Sequence, residues 1–216
     1  MMGLYTYNLR GGVFSNAQTG NVVMMSLAFG QGRFSDGLYY LIPFTAYILG
    51  TIISEILPEK VRQAHFVRWD TLLVGIEIFV LFMIGLMPLS WPNQVVQVII
   101  SFLCSMQFNT FRQAEGIPMA TTFLTNHVRQ IGISLARIIR HHELECESEA
   151  RAKAWKHAKI IIAFFMGGAV MTFAGSYLHE KAIWLAVIPL SACFLVMLRS
   201  DLIYESAMLD LKPHGH

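Results

Sequence analysis

Charge is scarce in this chain. Only 14% of its 216 residues are Asp, Glu, Lys or Arg, against about 25% in soluble globular domains. That deficit argues against a soluble fold with a solvated outer face. The formal net charge of +2 is too small to support nucleic-acid binding. Cysteine is also sparse. Cys104, Cys146 and Cys193 form an odd set without CxxC spacing, which gives neither a disulfide framework nor a zinc site; all three read as ordinary thiols. The chain has no Walker loop, no GxGxxG after a strand, no HExxH and no GxSxG. No cofactor is implied, and an enzyme is the weaker functional class. Met1–Arg10 is too short and too polar for the apolar core of a cleavable signal peptide.

Apolar residues are abundant instead. Hydrophobic residues make up 55% of the chain, and the mean hydropathy is +0.51. A helix needs about 20 mostly apolar residues to cross a bilayer. Five blocks meet that standard: Leu38–Leu57, Thr71–Leu89, Val95–Phe111, Lys159–Leu178 and Ala182–Leu198. Backbone groups in hydrocarbon must pair within their own segment, so these blocks are expected to be helices. The fold class expected is an all-α polytopic transmembrane bundle with five full spans.

Two further stretches break the pattern. Gly11–Asn21 and Gly116–Asn126 are rich in Gly or Pro and in small hydroxyl and amide side chains. The first leads into the apolar run Val22–Gly30, the second into His127–Arg140. Helical spacing begins at Asn21 and Asn126, as expected of residues that cap a first turn. Both read as broken or re-entrant segments. Thr19-Gly20-Asn21-Val22-Val23 sets beside Leu124-Thr125-Asn126-His127-Val128, and Ser26-Leu27-Ala28 beside Ser134-Leu135-Ala136. The order of elements suggests an internal repeat within one transmembrane domain, residues 1–216. Its first half is 1–90, its second 94–200, and 201–216 is a short tail. The second half has an apolar helix before its broken segment. By analogy, a helix is expected before Arg10. Tyr5-Thr6-Tyr7 reads as its end, so the expectation is that the first part of this helix is missing, the alternative being a short native N-terminus.

Basic residues gather between the blocks. Pro58–Asp70 carries Lys60, Arg62 and Arg68, and Arg137–Lys159 carries six Lys and Arg. The positive-inside rule places both links and the C-terminus in the cytoplasm. That topology requires Gly116–Arg140 to enter and leave on one side, giving two inverted halves, a 3+3 design common in transporters.

Several strings carry a family resemblance: Tyr5-Thr6-Tyr7, Arg10-Gly11-Gly12-Val13-Phe14, Asn16-Ala17-Gln18-Thr19-Gly20-Asn21, then Met106-Gln107-Asn109 and Thr121-Thr122-Phe123-Leu124-Thr125-Asn126. The chain resembles the YoaK-like family of bacterial inner-membrane proteins. The resemblance spans the whole chain and implies about six spans and a membrane location. That family is a domain of unknown function, so it supplies no substrate and no catalytic residue.

The polar residues of the broken segments are the first candidates for a substrate path: Asn16, Gln18, Thr19, Gly20, Asn21, Thr121, Thr122, Thr125 and Asn126. Irregular backbone at mid-membrane must be buried in protein or line a wet cavity, and a half-helix beginning there points its positive end inward. Each residue alone is equally well explained by capping and packing. Glu77 is an intramembrane carboxylate, costly unless paired or wetted. Arg129 could neutralise it, face water, or snorkel from a shallow helix. Glu55, near Pro58, reads as interfacial. His141-His142 diverge on a helix and make a poor metal site. Gly167-Gly168 and Gly175 suit close helix packing, and Trp69, Trp91 and Trp184 sit where aromatic belts are expected.

The leading functional expectation is a transporter or channel for a small polar or anionic solute. The alternatives are a membrane-embedded enzyme using Glu77 or His127, and a non-catalytic membrane scaffold. The lipid bilayer is the one partner implied. No nucleic acid is expected, and homo-oligomerisation stays open.

Overall fold

The computed structural model of the protein describes residues 1–63, 68–111, 113–114, 117–118, 124–140 and 144–203. Among these the chain forms α1 (Met2–Leu9), α2 (Gln18–Gly30), α3 (Phe34–Gln63), α4 (Trp69–Gly85), α5 (Asn93–Thr110), α6 (Leu124–Arg140), α7 (Leu144–Leu178) and α8 (Trp184–Ile203). A short 3-10 turn, His179–Ile183, joins α7 to α8. The only sheet structure among the described residues is a two-residue antiparallel pairing of β1 (Gln113–Ala114) with β2 (Ile117–Pro118). The fold is all-helical in every other respect.

Leu38–Leu57, Lys159–Leu178 and Ala182–Leu198 fall within helical segments, whereas Thr71–Leu89 runs four residues past the end of α4 at Gly85 and Val95–Phe111 one residue past the end of α5 at Thr110. Two stretches, Phe34–Glu59 and Glu147–Ile203, are long and apolar enough to cross a membrane. The second is not one rod. His179 adopts a left-handed φ of 49°, which ends α7 and starts the turn into α8. Helix α4, with 17 residues, is shorter than a usual span. Helix α5 is diluted by Asn93, Gln94, Gln97, Gln107 and Asn109.

A hydrophobic core around Leu81, Ile84, Val96 and Ile100 is buried together with polar side chains, and large apolar side chains also cover the surface. Phe165, Phe173 and Val196 are 71%, 69% and 70% exposed, while Arg10, Glu77, Gln97, His127 and His157 are all 0% exposed. Of the two spanning stretches only 22% and 17% of the most apolar window is buried. The hydrophobic surface therefore points outward.

Packing is organised by two parallel helix pairs of opposite sense. In the first, Tyr39, Gly50 and Ser54 of α3 meet Gln97, Ser105 and Asn109 of α5 in rising order. In the second, Gly167, Gly168 and Gly175 of α7 receive Met1, Leu4 and Leu9 from the α1 segment. The carbonyl of Arg10, just after α1, meets Gln97 near the start of α5, so the two pairs run antiparallel. Helix α2 packs on α3, α6 on α7, and α4 on α8. One end of the molecule gathers Arg10, Pro88 and Trp184; the other gathers Arg68, Asp70 and Asp201.

Three local expectations are corrected. Helices α2 and α6 begin at Gln18 and Leu124, not at Asn21 and Asn126. In α2 the first turn closes on the backbone, with the amides of Gly20 and Asn21 donating to the Ala17 carbonyl. That leaves the Asn21 amide free for the preceding loop. The charged links are largely helical: Pro58–Gln63 continues α3, and Leu144–Lys159 forms the first turns of α7. In the first turns of α7 the charge comes at helical spacing, with Arg151 paired to Glu147 four residues before it. Trp69 is no belt residue. It is buried, and its indole N–H donates to Thr110 Oγ1 at 2.9 Å.

Candidate functional site

One face of α5 carries Gln97, Ser101, Ser105 and Asn109. The spacing of four residues puts them in a row, and all four are buried. From Gln97 to Asn109 the row is about 18 Å long at 1.5 Å per residue. At its upper end Gln97 Nε2 donates to the Arg10 carbonyl at 2.5 Å and to Tyr39 Oη at 2.6 Å. Ser15 Oγ donates to the Gln97 carbonyl at 3.4 Å. At its lower end Asn109 Nδ2 donates to Ser54 Oγ at 2.8 Å and to Glu55 Oε2 at 3.0 Å. Tyr39 also lines a cavity of about 400 Å³ between α2 and α3, bounded by the Arg33–Asp36 ion pair at 2.9 Å. Tyr39 thus links the upper end of the polar row to this cavity.

Among the described residues Gln97 Oε1, Ser101 Oγ, Tyr47 Oη and Glu77 Oε1 are buried without a hydrogen-bond partner; leaving such an atom unpaired costs about 1–3 kcal/mol. Along the row α3 packs closely on α5. The α-carbon of Gly50 presses on Ser105 Oγ and on the Phe102 carbonyl, where an added Cβ would lie 2.5 Å from the carbonyl oxygen.

Glu77 stands at the centre of α4, eight residues from Trp69 and eight from Gly85. Its Oε2 accepts from Gln107 Nε2 at 3.1 Å. No cation lies within ion-pair distance of it among the described residues. Arg129 does not supply one. That residue is exposed on α6 and donates to Asn126 Oδ1 at 3.1 Å within its own helix.

The broken-segment residues are mostly engaged locally. Asn21 accepts from the Phe14 amide at 3.1 Å, and its Nδ2 donates to the Phe14 carbonyl at 2.8 Å and to Gln18 Oε1 at 3.0 Å. Gln18 donates to the Ser15 carbonyl at 3.1 Å. Asn16 rests against Gly3, and Gly20 faces Phe14. Thr19 and Thr125 are exposed. Among the described residues no hydrogen bond joins Asn16–Asn21 to Leu124–Asn126. Thr121 and Thr122 lie outside the described residues. The first broken segment instead meets α5, through Ser15 and Arg10 at Gln97. Gly11 is fixed there by a φ of +86° and by close approach to Tyr39 Oη and Gln97 Nε2.

Three features escaped sequence reasoning. The four-residue spacing of Gln97, Ser101, Ser105 and Asn109 was present in the string but masked by the apolar residues between them. Arg10 is wholly buried and donates to the Met87 and Pro88 carbonyls at 2.6 and 3.0 Å. It neutralises the carbonyl-rich end of α4, a contact across 77 residues that no local pattern could reveal. His127 of α6 meets His157 of α7, Nδ1 to Nδ1 at 2.8 Å, with both rings buried. No group of three His, Cys, Asp or Glu able to hold a metal occurs among the described residues.

A family model described as a protein of unknown function, DUF1275, matches residues 1–196. No curated protein and no solved structure matches the chain.

Proposed function

The chain belongs to the DUF1275 family, and from that premise we propose that it is a multi-pass inner-membrane transporter for a small polar or anionic solute. The apolar surface over buried polar side chains carries this reading. Large apolar side chains cover the outside, while amides, hydroxyls, an Arg and a Glu are sealed within. Water would reverse that arrangement, and a bilayer demands it. The YoaK-like resemblance agrees with the family match. Two stretches long and apolar enough to cross a membrane are in keeping with membrane association. The break at His179 supports two crossings in the second, since 57 residues of helix would extend about 85 Å against a hydrocarbon core of about 30 Å. Helices α4 and α5 complete the spans.

The opposed parallel pairs α3/α5 and α1/α7 support inverted halves, because a two-fold axis in the membrane plane exchanges such pairs. The solute path follows the polar face of α5, from the Arg33–Asp36 cavity past Gln97 and Ser101 to Asn109. The first broken segment forms its rim. Opening requires α3 to part from α5 at Gly50. The end that gathers Arg68 and Asp201 lies in the cytoplasm, together with the basic first turns of α7.

The test is a solute-uptake screen in proteoliposomes, with Gln97→Leu and Asn109→Leu as arms. Uptake of a small polar or anionic solute by the wild-type chain, lost in both variants while each stays folded, supports the path. Absence of uptake across the screen leaves a membrane scaffold held by polar helix contacts, which the close Gly50–Ser105 contact favours.

A further inference from the structure

Among the described residues Glu77 is the one carboxylate with 0% exposure, and the proposed path does not use it. Four observations set it apart. It lies at the midpoint of α4. Its carboxyl is wholly enclosed. Gln107 is its one hydrogen-bond partner, and Oε1 has none. No Lys, Arg or His among the described residues pairs with it.

The groups facing it from the neighbouring helices do not change this balance. Cys104 of α5 lies within electrostatic reach. Tyr47 of α3 and the Met1 amino group each lie within reach of Cys104 in turn. Helix α8 presents Phe194 at Gly75; its Arg199 and Asp201 lie towards its C-terminal end. His179, Glu180 and Lys181 of the 3-10 turn lie at the far end of α4.

A carboxylate so placed bears an uncompensated desolvation cost, so the packed conformation holds the acid. Gln107 Nε2 donates to Oε2, which assigns the acid proton to Oε1. A metal cation would need several converging oxygens, and one carboxyl supplies too few. A proton needs one.

We propose that Glu77 binds an exchangeable proton that couples solute movement to the proton gradient. This rests on the transport reading above. Release breaks the Oε1–H bond, leaves the electron pair on the carboxylate and passes the proton to water; binding reverses both. Gln107 lies on α5, the helix that carries the polar row, though on its opposite face, and is only partly buried. Movement of α5 that wets Gln107 wets Glu77 through one hydrogen bond.

The experiment uses the full chain in proteoliposomes and dicyclohexylcarbodiimide, an apolar reagent that modifies buried carboxylic acids and spares carboxylates. Mass spectrometry of the Glu77 peptide is expected to show one adduct per chain at acidic pH. Above the titration midpoint, labelling is expected to fall about tenfold for each further pH unit, following the protonated fraction. Glu77→Gln, which keeps the shape and a partner for Gln107, removes the adduct. With a solute found by the uptake screen, an inward proton gradient is expected to stimulate wild-type uptake severalfold and to leave Glu77→Gln unaffected. Absence of a Glu77 adduct at acidic pH, or labelling that ignores pH while the protein stays folded, overturns the proton site. Uptake that ignores the gradient equally in both proteins overturns the coupling and leaves transport standing. A screen that finds no solute overturns transport and coupling together, while the labelling still decides whether Glu77 carries the proton.

Discussion

Gly50→Ala is expected to weaken the protein through one seam. The added Cβ would sit 2.5 Å from the Phe102 carbonyl oxygen and 3.2 Å from its carbon, with Ser105 Oγ closer still. Ser105 can rotate, at the cost of its 2.7 Å bond to the Phe102 carbonyl. The Phe102 carbonyl is backbone and cannot move alone, so α3 and α5 must separate. A gap of about 0.5–1 Å forfeits a quarter to a half of each van der Waals well it crosses. Overpacking of this kind costs about 1–3 kcal/mol. The bond from Asn109 to Ser54, one turn further on, lengthens with the same movement. Thermal unfolding in detergent should show a fall in Tm of roughly 2–4 °C per kcal/mol. Gly132→Ala is the control, because nothing lies within 4 Å of its added Cβ. Within helix α6 that change should be neutral or stabilising by about 0.4–1 kcal/mol. Equal Tm values for the two variants would refute the close α3–α5 contact, and with it the closed position of the path.

Asn21→Ala leaves the Phe14 amide and carbonyl without their side-chain partner; a loss of about 1–3 kcal/mol is expected, read as a lower Tm, where a plain helix cap would cost about 1. Arg10→Met strips the Met87 and Pro88 carbonyls of their donors, and the loss of hydrogen bonds from a charged group should cost about 1.5–3 kcal/mol in the same assay. An introduced cysteine at Lys153 is expected to resist an impermeant thiol reagent added outside intact cells and to react once the membrane is permeabilised, as the proposed cytoplasmic face requires.

The helices were legible because their cause is local. Leu38–Leu57 and Lys159–Leu178 are apolar over a bilayer's length, and nothing else in the chain could hold their backbone in hydrocarbon. Glu77 was legible for the same reason: a carboxylate inside an apolar run signals itself. Pairing was not legible. Arg129 was the nearest candidate partner by chemistry, yet the fold turns it outward and gives Glu77 the amide of Gln107. Asn21 was read as a cap from its residue type, whereas its contacts depend on how the Phe14 loop folds back over α2. Arg137–Lys159 was read as a loop from its charge, though Ala, Glu, Lys and Arg at this density also favour helix. The polar row of α5 was within reach, since Gln97, Ser101, Ser105 and Asn109 recur every four residues, but its partners Tyr39 and Ser54 lie 58 and 55 residues away. Whether such a row is glue or path depends on those partners.

The central claim is that the apolar face lies in lipid and the polar face of α5 is the part that water reaches. Single cysteines in a cysteine-free background test it most directly, using a small water-soluble thiol reagent on the protein in proteoliposomes. Ser101→Cys, on the polar row, is expected to react; Phe79→Cys and Phe173→Cys, on faces 61% and 69% exposed, are expected to stay unmodified under lipid. Rapid modification of Phe79→Cys and Phe173→Cys with Ser101→Cys silent would put the apolar face in water and contradict the account.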